Sequence, residues 1–175
     1  MAEGIIDRDL GWNRILKEID RMNGSYTKIG VQMDDGAKPK ESFNPDGSMK
    51  KDAETDLYIV AVSNEFGTRD GRIPERSYIR STADQERGET SERLVQGIGS
   101  IYTGRNTVRS VLTLVGIYMV GRIQKTMNDM TTPRNAEATR KAKGRRKGPC
   151  VEVDNPLIDT GQLKQSIRNE EVVRP

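Results

Sequence analysis

Side-chain catalysis needs a base near its working pKa with a reacting group beside it, so the acidic and nucleophilic residues come first. The chain contains no histidine. That removes the commonest general base, the commonest metal ligand and the usual partner of a nucleophilic serine or cysteine. The single cysteine, Cys150, excludes an internal disulfide and a cysteine-built zinc site within one chain. A reducing compartment suits such a chain. The acid pairs Asp70/Glu75 and Asp154/Asp159 lie among arginines, lysines and turn residues, the setting of solvated ion pairs and helix caps. Asp159, Thr160 and Gly161 form a triplet known from hydrolases, but that chemistry needs two aspartates sharing a proton, so a second copy would have to supply the other. Flanked by "PLI" and "QLKQSI", the triplet reads instead as a helix start capped by Asp159 or Thr160. "GTRDG" lacks the spacing of a phosphate-cradling loop. These residues predict no catalytic site, no metal and no cofactor.

The second chemistry is electrostatic. Residues 134–147 hold Arg134, Arg140, Lys141, Lys143, Arg145, Arg146 and Lys147 against Glu137 alone. Arg140, Lys141, Lys143, Arg145, Arg146 and Lys147 are candidate contacts to duplex phosphates or to an acidic protein face. The run contains no aromatic residue, which argues against stacking on single strands. A solvated basic loop is the plain alternative. The formal net charge of +3 is too small to imply nucleic-acid binding by itself.

Positioning these groups falls to a thin core. Hydrophobic residues make up 33% and charged residues 31% of 175, a balance that suits one domain whose burial is completed by neighbours. Residues 10–22 have Trp12, Ile15, Leu16, Ile19 and Met22 at helical spacing, and residues 28–33 alternate as a strand. Residues 34–55, rich in turn dipeptides, read as an exposed arm. "DLYIVAVSNEF" is ambiguous between strand and helix. Helices are predicted over residues 77–102, with a break near Gly88, and over 106–130, where Val108, Val111, Leu112, Val115, Met119, Ile123 and Met127 make one stripe. A basic loop spans 131–155, with a short helix over 135–143. One or two helical turns then lead into an edge strand over 166–173. The opening residues carry charge where a leader needs an apolar run, and residues 111–121 are too few to span a membrane. The expected fold is α+β over residues 1–175: a small antiparallel sheet packed on two long helices and a shorter N-terminal one, with long exposed loops.

Two segments carry a family likeness. "IVAVSNEFGT" followed by "RIPERSYIR", and later "PLIDTGQLKQSI", resemble the motifs of tail-completion, or neck, proteins of tailed bacteriophages. The matching positions are Glu65, Phe66, Gly67, Thr68, Ile73, Pro74, Arg76, Tyr78, Ile79 and Arg80, then Leu157, Asp159, Thr160 and Gly161. Ser77 stands where the family has proline, and arm 34–55 and the basic loop are longer and denser than its pattern.

The resemblance implies a structural virion protein, found in the neck of the particle and in the host cytoplasm during assembly. It implies a ring of copies around the DNA channel, hexameric by preference. Its partners would be the head-closure or connector protein and the tail terminator or tail tube, without a membrane and with non-specific duplex DNA in the channel. A DNA-binding accessory protein using residues 134–147 is the alternative. In the first motif, Phe66 and Tyr78 read as apolar anchors either side of a bend, with Gly67 supplying backbone freedom and Pro74 rigidity. Arg76 and Arg80, four apart, would share a helix face and reach a carboxylate in the same subunit or the next. Phe66, Arg76, Tyr78 and Arg80 are therefore the expected interface residues.

Overall fold

The computed structural model describes residues 11–32, 57–145 and 153–175. Arm 34–55, Arg146, Lys147 and Cys150 lie outside them.

The longest apolar stripe makes the central element. Helix α5 (Val108–Asp129) buries Val108, Val111, Val115, Met119, Ile123 and Met127 along one side, while Leu112 is half-buried. It begins with a capping box: the Thr107 hydroxyl accepts from the Ser110 backbone N–H, and the Ser110 hydroxyl accepts from that of Thr107. Around it the order is α1 (Trp12–Met22), β1 (Tyr26–Val31), α2 (Leu57–Phe66), α3 (Ile79–Gln85), α4 (Arg87–Tyr102), α5, α6 (Glu137–Gly144), α7 (Gln162–Gln165) and β2 (Ile167–Val172).

Strands β1 and β2 pair antiparallel, from Tyr26 opposite Val172 to Val31 opposite Ile167. This is the expected small sheet, with β1 starting two residues earlier than its alternation suggested. Both strands and helix α4 pack on α5. Two glycines permit the close approaches. A Cβ on Gly97 would lie 2.3 Å from Val111 of α5, and one on Gly116 would lie 2.6 Å from Asn169 of β2.

Apolar contact gathers at the two ends of α5. Leu57, Ala61, Tyr78, Ile123, Met127, Leu157, Leu163 and Ile167 form the larger cluster. Ile101, Val108 and Val111 form the smaller one, with Met22, Leu112 and Val173 against it. The ambiguous apolar run resolves as helix α2, because Leu57, Ala61 and Glu65 recur every four residues on its inner side. The α3/α4 break falls at Glu86 rather than at Gly88. Glu86 is buried there, accepting from Tyr118 and from Arg122 Nε at 2.7 Å, so an anchored side chain places the bend. Helix α7 starts at Gly161, in left-handed conformation (φ 80°), without a side-chain cap. Thr160 Oγ1 accepts the Gln162 N–H at 3.4 Å and donates to Gln162 Oε1 at 3.1 Å.

Candidate functional site

The segment from Asn64 to Arg80 folds into a self-contained clasp. Gly67, directly after α2, has φ 73°. A Cβ there would sit 2.9 Å from the Glu75 nitrogen and 3.1 Å from the Ile73 oxygen, so glycine is required by both conformation and space. The chain then turns back. Thr68 N–H donates to the Ile73 carbonyl at 2.9 Å, Ile73 N–H donates to the Thr68 hydroxyl, and Arg76 N–H donates to the Asn64 carbonyl at 2.7 Å.

Glu65 closes this loop. Its buried carboxylate accepts from the backbone N–H groups of Tyr78, Ile79 and Arg80 at 2.8–2.9 Å. It also accepts from Ser77 Oγ at 3.0 Å and Arg80 Nε at 3.1 Å. A carboxylate thus satisfies the orphan donors at the start of α3 and meets the positive end of its dipole. The Ser77 bond is one that proline could not make. Hydrogen bonding from Glu65 holds the Arg80 guanidinium above the ordinary arginine value. Arg80 also pairs with Glu75 at 2.6 Å and lies 4.4 Å over the Phe66 ring.

The predicted interface residues divide. Tyr78 is fully buried in the larger apolar cluster. Burial first, and the Glu65 carboxylate second, push its phenol well above the usual tyrosine range. Arg76 is buried too, and it precedes α3 rather than lying on it, so the two arginines share no helix face. Its guanidinium donates to Asn64 Oδ1 and the Pro133 carbonyl, each at 2.9 Å, and to the Arg134 carbonyl and Asn135 Oδ1, each at 3.2 Å. Desolvation draws its pKa below the ordinary value, yet arginine stays charged. Arg76 therefore fastens the α5–α6 connection to the clasp within one chain. Phe66 remains on the surface, 57% exposed. Pro74 is half-buried in the return strand of the clasp.

The basic run divides similarly. Lys143 is buried, its ammonium donating to the carbonyls of Asn155 (2.8 Å) and Ile158, which removes it from the candidate phosphate contacts. Arg140 pairs with Asp154 at 2.8 Å and Lys141 with Glu137 at 2.8 Å. Arg145 is exposed. Leu157 is core, while Asp159, Thr160 and Gly161 line a cavity of about 50 Å³ beside Leu57 and Val60, room for a water molecule or two.

Three buried groups carry no sequence signal of their own. Asn155 donates to the last carbonyls of α5, Met127 and Asn128, at 2.8 Å, and accepts from Leu157 and Ile158 N–H. Glu18 of α1 accepts the Val108 N–H at the other end of α5, at 2.8 Å. Hydrogen bonds from Tyr118 and then Arg122 hold the Glu86 carboxyl below its usual range.

Exposed apolar side chains stand among the charged surface residues. Tyr58, Ile59, Val62 and Phe66 occupy the outward side of α2 at 37–57% exposure. Leu114 and Ile117 of α5 are exposed beside a groove of about 230 Å³ between α4 and α5, lined by Arg93, Gln96, Gly97, Ser100, Val111 and Val115 among others. Val95, Ile98 and Tyr102 are exposed on the far side of α4, and Trp12 and Leu16 on α1. Among the described residues, no helix is long and apolar enough to cross a membrane. No protein-family profile, curated protein or solved structure matches this chain.

Proposed function

We propose that the chain is a ring-forming structural subunit of the tailed-phage neck, completing the tail and joining it to the head connector around the DNA channel. The observation that carries this is the pairing of a rigid, internally fastened clasp with exposed apolar helix faces. The residues shared with the neck-protein motifs build the clasp: Glu65, Gly67, Arg76, Tyr78 and Arg80 all serve to hold one subunit in shape. The exposed apolar side chains of α2 (Tyr58, Ile59, Val62, Phe66) and of α5 (Leu114, Ile117) are what such a shape presents. Contiguous apolar exposure beyond a few hundred Å² marks protein-binding surfaces. In the alternative, DNA-binding reading, Lys143 is buried and Arg140, Lys141 and Arg145 are the described candidate cations that reach the surface.

Light scattering on the purified full chain tests the proposal. Mass is expected to rise with concentration and stop at one integer multiple of the subunit, with no further growth, since a closed ring has no free end. A particle that stays monomeric at high micromolar concentration, or one that grows without limit, would count against it.

A further inference from the structure

We infer that the end of the molecule where α1, the start of α5 and residues 173–175 meet is a contact surface for the phosphates of duplex DNA. The inference goes beyond the neck reading and holds whether or not the subunits close into a ring.

Cations scattered through the sequence converge there. Arg21 of α1, Arg109 in the first turn of α5 and Arg174 after β2 line one cleft of about 390 Å³, with Glu18, Thr107, Val173 and Pro175. That is many times a water molecule's share of about 30 Å³, enough for a phosphate group with its water. At the other end of α1, Arg14 donates to the Gly104 carbonyl, which brings it beside Arg105. Lys17 is exposed between Arg14 and Arg21 on the same flank of α1, three residues after one and four before the other.

The counter-charge is small and already used. Glu18 is buried, and its two oxygens accept from Arg21 Nη1 and from the Val108 N–H, each at 2.8 Å. Asp20 is the other acid of α1 and offsets one charge at most. Among the described residues, the side chains of Arg105, Arg109 and Arg174 have no ion-pair partner. Helix α5 has no acidic residue in its first turn, so Arg109 stands at the positive end of the helix dipole with arginines around it. Like charges are thus held together in the free subunit, and a polyanion relieves them. The helix end is not itself the binding element. The N–H groups of Val108 and Ser110 are taken by Glu18 and Thr107, and the free donors are the guanidinium groups.

Spacing and lining select the partner. Arg14 and Arg21 are seven residues apart on α1, about 10 Å at 1.5 Å per residue. Duplex DNA carries one phosphate charge per roughly 1.7 Å of axis, so the row faces several phosphates at once. Each guanidinium fork matches a pair of phosphate oxygens. The cleft has no aromatic side chain for stacking on bases. Val173 and Pro175 are its only apolar lining besides the Thr107 methyl, too little for the apolar centre of a protein interface.

Fluorescence anisotropy of a labelled duplex of about 20 base pairs, titrated with the full chain across a salt series, tests this. The logarithm of the association constant is expected to fall with that of salt at a slope of about −3 to −5, as four or five phosphate contacts require. Arg109→Gln with Arg174→Gln is expected to flatten that slope by about two and to weaken binding roughly fiftyfold at about 0.1 M salt. The same double variant is expected to melt no lower than the parent, because both side chains are exposed and stand among like charges. Lys17→Gln with Arg105→Gln repeats the test at the other end of the row. Arg140→Gln with Lys141→Gln, on the basic run, is expected to stay within about threefold of the parent. No binding at about 0.05 M salt, parent-like binding by the first two double variants, or an equal loss in the third would overturn the assignment. So would tighter binding of a polyglutamate peptide than of the duplex, which would place an acidic protein on this surface. None of these outcomes bears on the ring, which light scattering decides.

Discussion

Glu65→Gln is expected to destabilise the folded chain by about 3 kcal/mol, because the buried carboxylate serves several donors that an amide cannot all match. One carboxylate oxygen accepts from Ser77 Oγ, Arg80 N–H and Arg80 Nε, and the other from the N–H groups of Tyr78 and Ile79. Glutamine fills the same space but has a single acceptor oxygen. Its amide group must then face backbone donors or the guanidinium, donor against donor, and the start of α3 loses its compensating charge. For a chain of this length a loss of that size lowers the melting temperature by about 10 °C. Glu75→Gln is the control. Glu75 meets the same Arg80 from an exposed position, so its loss costs less than about 1 kcal/mol. Equal melting temperatures for Glu65→Gln and Glu75→Gln would refute the role assigned to Glu65.

Arg76→Ala is the second large effect, about 3–4 kcal/mol in the same direction. Four acceptors from two places in the chain converge on this guanidinium: Asn64 at the end of α2, then Pro133, Arg134 and Asn135 beyond α5. Alanine leaves them without this donor, and each acceptor that water does not reach carries a desolvation cost of about 1–3 kcal/mol. Because the acceptors are carbonyls and amides rather than carboxylates, Arg76→Lys recovers only part of the loss, since one ammonium offers three donors and no planar fork. Hydrogen exchange should report the damage in residues 130–136 before it appears in α5. Unchanged stability of Arg76→Ala, combined with failed self-association, would return Arg76 to a subunit interface.

The clasp separates what was legible in the sequence from what was not. Gly67 and Pro74 mark a bend by their own chemistry, and the bend is there. The role of Glu65 is invisible locally, because its partners are backbone N–H groups thirteen to fifteen positions away. Tyr78 and Arg76 resemble interface anchors in composition. Only the path of the chain after α5 reveals that both are covered from within. Lys143 likewise looks like one more cation in a run of seven until residues 155 and 158 bring two carbonyls to its ammonium.

Elements followed a similar division. The stripe from Val108 to Met127 was readable because one long helix bears a complete apolar side. The pairing of residues near 28–31 with those near 167–170 followed from alternation at both ends of the chain. Helix α2 stayed ambiguous for a physical reason. Its outer side is as apolar as its inner one, so no period stands out.

The neck-subunit proposal is tested most directly by an averaged image of phage particles assembled in the presence of this chain carrying a small tag at its C-terminus. The account predicts tag density as a single ring of equally spaced copies around the channel between connector and tail, and unjoined heads and tails when the chain is removed. Tag density absent from the particle, or joined infectious particles formed without the chain, would contradict it.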